Sequence, residues 1–82
     1  MPRLPVLKAT ELMRALEKAG FQVIRQKGSH VRMKHPDGRV VTVPVHPGQD
    51  IGRGLLRKVI RDAELTRDEL VALLIMKGSS SR

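Results

Sequence analysis

Ser29-His30-Val31-Arg32-Met33-Lys34-His35-Pro36-Asp37-Gly38-Arg39-Val40-Val41-Thr42-Val43-Pro44-Val45 reads as two strands folded about one turn. From Ser29 to His35, Val31 and Met33 fall on one side and His30, Arg32 and Lys34 on the other, the period of two that marks a half-buried strand. From Arg39 to Val45 the alternation repeats, with Val41, Val43 and Val45 opposed to Thr42 and Pro44. Between them, Pro36 presets φ and Gly38 accepts a positive φ, so Pro36-Asp37-Gly38 is turn chemistry. The loop length then decides the register. A two-residue loop at Asp37-Gly38 would set the valine face beside His30, Arg32 and Lys34. A three-residue loop, with Gly38 in the positive-φ position, pairs Val31 with Val43 and Met33 with Val41. A one-residue slip inverts every side chain, and only the second solution gives one apolar and one basic face. In that register His46 shares the face of His30, diagonally across at about 7–8 Å between backbones, if the strand runs on past Pro44. Pro44 cannot donate to a ladder, so its strand is an edge strand or ends there.

Upstream, Ala9, Leu12, Leu16 and Ala19 recur at helical spacing, with Glu11, Arg14 and Lys18 opposite, which predicts a helix over 8–19. Gly20 follows where a left-handed cap residue belongs. Phe21 to Gln26 is a further short strand, with Lys27-Gly28 as the turn out of it. Downstream, 47–50 is a loop. A second helix over 52–63 turns Leu56, Val59, Ile60 and Ala63 inward and aligns Arg53, Arg57 and Arg61 outward. A short third helix opens at Thr66, where Thr66-Arg67-Asp68-Glu69 is a capping box and Leu65 can staple to Leu70. The reading is an α+β domain, one three-stranded antiparallel sheet with helices on one face and a short C-terminal helix. One domain spans 1–82, its core over about 6–75, with 77–82 a flexible tail.

Composition narrows the partners. Sixteen Lys and Arg against eight Asp and Glu give a formal charge of +8, which points to a polyanion, nucleic acid first. Phe21 is the single aromatic, so stacking of bases on aromatic rings is not the binding mode. No cysteine is present, which removes disulfides, thiol nucleophiles and thiolate metal sites. No apolar run approaches the ~20 residues of a membrane span, and no signal-peptide core precedes the first helix, so a cytoplasmic protein is expected.

His30 is the candidate for chemistry. A histidine, with an ordinary pKa of about 6.5, moves protons near neutral pH. This one follows Gly28-Ser29, a turn whose backbone can approach a phosphate closely, and Arg25, Lys27 and Arg32 are the cations nearest to it in sequence. On a phosphodiester, neutral His30 would take the proton of an RNA 2′-hydroxyl, which then attacks phosphorus; such acid–base help is worth about 10²–10⁴-fold. His46 is the candidate acid for the leaving oxygen, beside a structural role at a strand end. Arg53 and Arg57 could contact phosphates farther along the strand, although charged residues on a helix are ordinarily a solvated face. His35 reads as structural. With no cysteine and no carboxylate close to His30, His35 or His46, the ligand set for a metal is poor, and no metal or other cofactor is expected.

Arg25-Gln26-Lys27-Gly28-Ser29-His30, His35-Pro36-Asp37-Gly38-Arg39, Thr42-Val43-Pro44-Val45-His46 and Gly54-Leu55-Leu56-Arg57-Lys58-Val59-Ile60-Arg61-Asp62-Ala63 together closely resemble the HicA toxin family. The resemblance implies a double-stranded-RNA-binding-like α-β-β-β-α fold and a ribosome-independent mRNA interferase. It also implies mRNA as substrate and a HicB-type antitoxin that covers the active site; the toxin alone is expected to be a monomer. The catalytic histidine of the family falls on His30, with Gly28 and Ser29 as its motif neighbours. Two positions depart from the family pattern. Leu55 stands where the family usually has threonine, and Glu64 where it often has glycine. The alternative is a non-catalytic RNA-binding module on the same fold, with His30 a contact residue only. An adaptor for acidic proteins would instead bind RNA weakly even at low salt.

Overall fold

The computed structural model describes residues 6–75; the expected C-terminal tail lies outside them. The elements in order are β1 (Leu7–Lys8), α1 (Ala9–Lys18), β2 (Gln22–Lys27), β3 (His30–Lys34), β4 (Val40–Pro44), β5 (Asp50–Ile51), α2 (Arg53–Asp62) and α3 (Arg67–Ile75). β2, β3 and β4 form the expected antiparallel meander, with β3 in the centre. Val31 pairs with Val43 and Met33 with Val41, the register of the three-residue loop. Gly38 takes φ +103°, and its N–H donates to the His35 carbonyl at 2.9 Å. The valine–methionine face is buried in one aliphatic core with Leu12 and Leu16 of α1, Leu56, Val59 and Ile60 of α2, and Leu70 of α3. His30, Arg32, Lys34 and Thr42 are exposed on the other face.

Three local expectations are corrected. The turn between β2 and β3 is Gly28-Ser29 rather than Lys27-Gly28, because Lys27 pairs with His30 and belongs to the strand. Gly28 at φ +58°, followed by Ser29 without a positive φ, occupies the first loop position, the one a type II′ hairpin gives to glycine. The segment 47–50 is not wholly loop. Asp50 and Ile51 form β5, which pairs with β1 as a separate two-stranded sheet, buries Leu7 and Ile51 and carries a Lys8–Asp50 ion pair at 2.8 Å. Strands of two residues have no periodicity to read. Third, β4 stops at Pro44; His46 opens a turn in which its carbonyl accepts the Gln49 N–H at 3.0 Å.

α1 and α2 end in the same way. At α1, the Phe21 N–H donates to Leu16 and the Gly20 N–H to Glu17, both at 3.0 Å. At α2, Leu65 donates to Ile60 at 2.9 Å and Glu64 to Arg61 at 3.0 Å. These are two Schellman caps, each with its left-handed residue in place: Gly20 at φ +109° and Glu64 at φ +58°. Glu64 therefore bears the steric cost of a Cβ in that region. Glu64→Gly is expected to stabilise the protein by about 1 kcal/mol; an unchanged urea midpoint would show that the cap carries no strain. α3 opens with the expected capping box: Thr66 Oγ1 accepts the Glu69 N–H at 3.0 Å and Glu69 Oε1 accepts the Thr66 N–H at 2.8 Å.

Candidate nucleic-acid site on the open sheet face

Strand alternation counted from buried Phe21 would send Val23, Arg25 and Lys27 to the core side together. The pairing of β2 with β3 shifts between Val23 and Arg25, so that Val23 lies opposite Met33 while Arg25 lies opposite Arg32 and Lys27 opposite His30. Ile24 is the extra residue of this bulge. One inserted residue thus carries Arg25 and Lys27 to the face of His30. All six residues of β2 are exposed, including Val23 at 45% and Ile24 at 53%, and β2 is an edge strand of the sheet.

The outcome is a shallow depression lined by Arg25, Lys27, His30, Arg32 and Thr42. Three cations surround one imidazole, and none of the three meets a carboxylate among the described residues. Thr42 brings a hydroxyl from the third strand, opposite Arg32. It was not among the residues singled out from the sequence, although the hairpin register derived there places it on this face. Gly28 lies at the hairpin tip between Lys27 and His30, and a Cβ built on it would meet nothing within 4 Å, so the backbone is open to an approaching group. The Ser29 carbonyl accepts the Val45 N–H at 2.6 Å, which ties the tip to the end of β4.

His46 is exposed but does not line this depression. Arg53 and Arg57 are also exposed, as is Arg61. They project from α2, whose buried residues share the core with Val41 and Val43, whereas His30 lies on the opposite side of the sheet. The structure gathers Arg25, Lys27 and Arg32 around His30 and leaves Arg53 and Arg57 outside the depression. Among the described residues, no three His, Cys, Asp or Glu side chains gather as a metal site would require.

The His-Pro-Asp-Gly-Arg turn is a clasp behind the site. His35 meets the Phe21 ring edge-on at 5.3 Å between centroids, and Arg39 lies over the same ring at 5.2 Å. Asp37 holds the turn together: its N–H donates to His35 Nδ1 at 3.1 Å, and its carboxylate accepts Arg39 Nε at 2.8 Å. The Arg39 N–H, foremost, and then its guanidinium keep the Asp37 carboxyl below the usual carboxylate range. Arg39 Nη1 reaches on to the Ala63 carbonyl at the end of α2. His35 is structural, as its sequence position indicated; the role of Arg39 had no signal in strand periodicity.

A family model described as HicA toxin of bacterial toxin–antitoxin matches residues 9–65. That span runs from the first residue of α1 through both Schellman caps and includes every residue of the depression. α3 lies beyond it. No curated protein matches the chain.

Proposed function

The chain belongs to the HicA toxin family of bacterial toxin–antitoxin systems, and on that premise we propose that it is a ribosome-independent endoribonuclease that cleaves mRNA by histidine acid–base catalysis at His30. The observation that carries the reading is the exposed imidazole set among Arg25, Lys27 and Arg32 on the uncovered face of the sheet. A single RNA strand laid across this face brings a phosphate to the cations and a ribose hydroxyl to the histidine. Neutral His30 accepts the 2′-hydroxyl proton as the 2′-oxygen attacks phosphorus, and fixed positive charge stabilises the phosphorane that forms. The reaction needs no metal or other cofactor. Gly28 and Ser29 let the backbone close on the reacting phosphate. His46, Arg53 and Arg57 contact the RNA away from it. A HicB-type antitoxin that covers the open face would silence the enzyme in the cytoplasm.

The direct test is incubation of the purified chain with a defined transcript in the absence of ribosomes. Cleavage is expected; tight binding without cleavage under any condition would leave only an RNA-binding module. The outlying arginines have a separate readout. Replacing both Arg53 and Arg57 with alanine should reduce the slope of log K against log salt by about 1.4, roughly 0.7 for each single-strand phosphate no longer neutralised. An unchanged slope would remove both residues from the interface.

A further inference from the structure

We propose that Lys27 is the second catalytic group of this site, the acid that protonates the leaving 5′-oxygen while His30 deprotonates the 2′-hydroxyl. The assignment rests on the nuclease reading and adds to it the partner of His30. Lys27 and His30 are direct cross-strand partners on either side of the Gly28-Ser29 turn. Side chains so paired stand on one face with Cβ atoms about 4.5–5.5 Å apart. Both residues are exposed, and both line the depression. The two-residue turn leaves the strands no room to spread, so the spacing is built into the hairpin. The bulge at Ile24 completes the arrangement, since uninterrupted alternation from Phe21 would have put Lys27 beneath the sheet.

The other groups of the depression do not fit the role. Guanidinium groups such as those of Arg25 and Arg32 do not release a proton in proteins; they suit the stabilisation of phosphate charge. The Thr42 hydroxyl is neutral and suits a hydrogen bond to a phosphate oxygen. His46 sits in the turn beyond β4 and outside the depression. Only the Lys27 ammonium is both a cation and a proton donor, and it makes no ion pair among the described residues.

The step balances within the site. The 2′-hydroxyl proton passes to His30, a bond forms from the 2′-oxygen to phosphorus, and the bond from phosphorus to the 5′-oxygen breaks. The departing oxygen takes its proton from the Lys27 ammonium. A 2′,3′-cyclic phosphate and a 5′-hydroxyl result, leaving an imidazolium and a neutral amine. Transfer of one proton between them, through water, restores the starting state.

A bridging 5′-sulfur at the mapped cleavage position isolates the acid, because a thiolate departs without a proton. Lys27→Ala should cut ordinary RNA about 10²–10⁴-fold more slowly than the unaltered protein, yet stay within about tenfold of it on the sulfur-substituted RNA. His30→Ala should be impaired on both substrates. An equal loss on both substrates for Lys27→Ala would reduce Lys27 to a phosphate contact and overturn the assignment. So would an undiminished rate on ordinary RNA. Failure of the unaltered protein to cut either RNA would instead bring down the nuclease reading, and this assignment with it.

Discussion

Alanine in place of His30 is expected to lower the single-turnover rate of transcript cleavage by about 10²–10⁴-fold, the range lost when a positioned proton acceptor is removed. RNA affinity should change little by comparison, because Arg25, Lys27 and Arg32 remain and phosphate contacts dominate binding to a polyanion. Folding should be unaffected: His30 is exposed, and its backbone partners across the sheet, Lys27 and Pro44, do not depend on its side chain. Expression of the variant should no longer arrest growth. Retention of more than about a tenth of the cleavage rate would place the proton acceptor elsewhere.

The second large effect concerns stability. Phe21 is 1% exposed and is the ring that His35 and Arg39 both contact. Phe21→Ala should cost about 3–5 kcal/mol, the usual range for a buried phenylalanine. The stability of small domains is about 5–15 kcal/mol, so the loss would take a large share of it. Phe21→Leu keeps most of the volume and should cost about 1.5 kcal/mol or less from packing. Urea unfolding of the two variants separates volume from ring contacts. A Phe21→Ala penalty under about 1 kcal/mol would mean that the clasp, and not the ring, holds this end of the molecule.

The hairpin of β3 and β4 was legible because two constraints agreed. The loop Pro36-Asp37-Gly38 admits few conformations, and only one register put Val31, Met33, Val41 and Val43 on a common face. The cap at Thr66 was legible for a similar reason, since donor and acceptor sit at fixed spacing. The bulge at Ile24 was not. Both faces of β2 are exposed, so no burial pattern marks where its alternation breaks, and Arg25 and Lys27 could be placed near His30 only by proximity in sequence. The pairing of β1 with β5 joins segments 42 residues apart through two residues each, too little for periodicity to register. The sequence allowed the strand to run on past Pro44 toward His46, whereas β4 is complete at Pro44. The missing donor at that proline and the turn closed by Gly48 at φ +79° end it instead.

β3 writes two messages in one stretch of chain: its odd-numbered residues build the interior, and its even-numbered ones face outward, where the proposed chemistry lies. On the proposed function, single replacements on the outward set should disarm the protein while leaving it folded. A one-codon insertion or deletion within β3 would exchange the two sets, burying cations and exposing aliphatics, and should yield no folded product. Loss-of-function alleles recovered from a genetic selection would therefore divide into intact but harmless proteins and ones that cells degrade, with little in between at this strand.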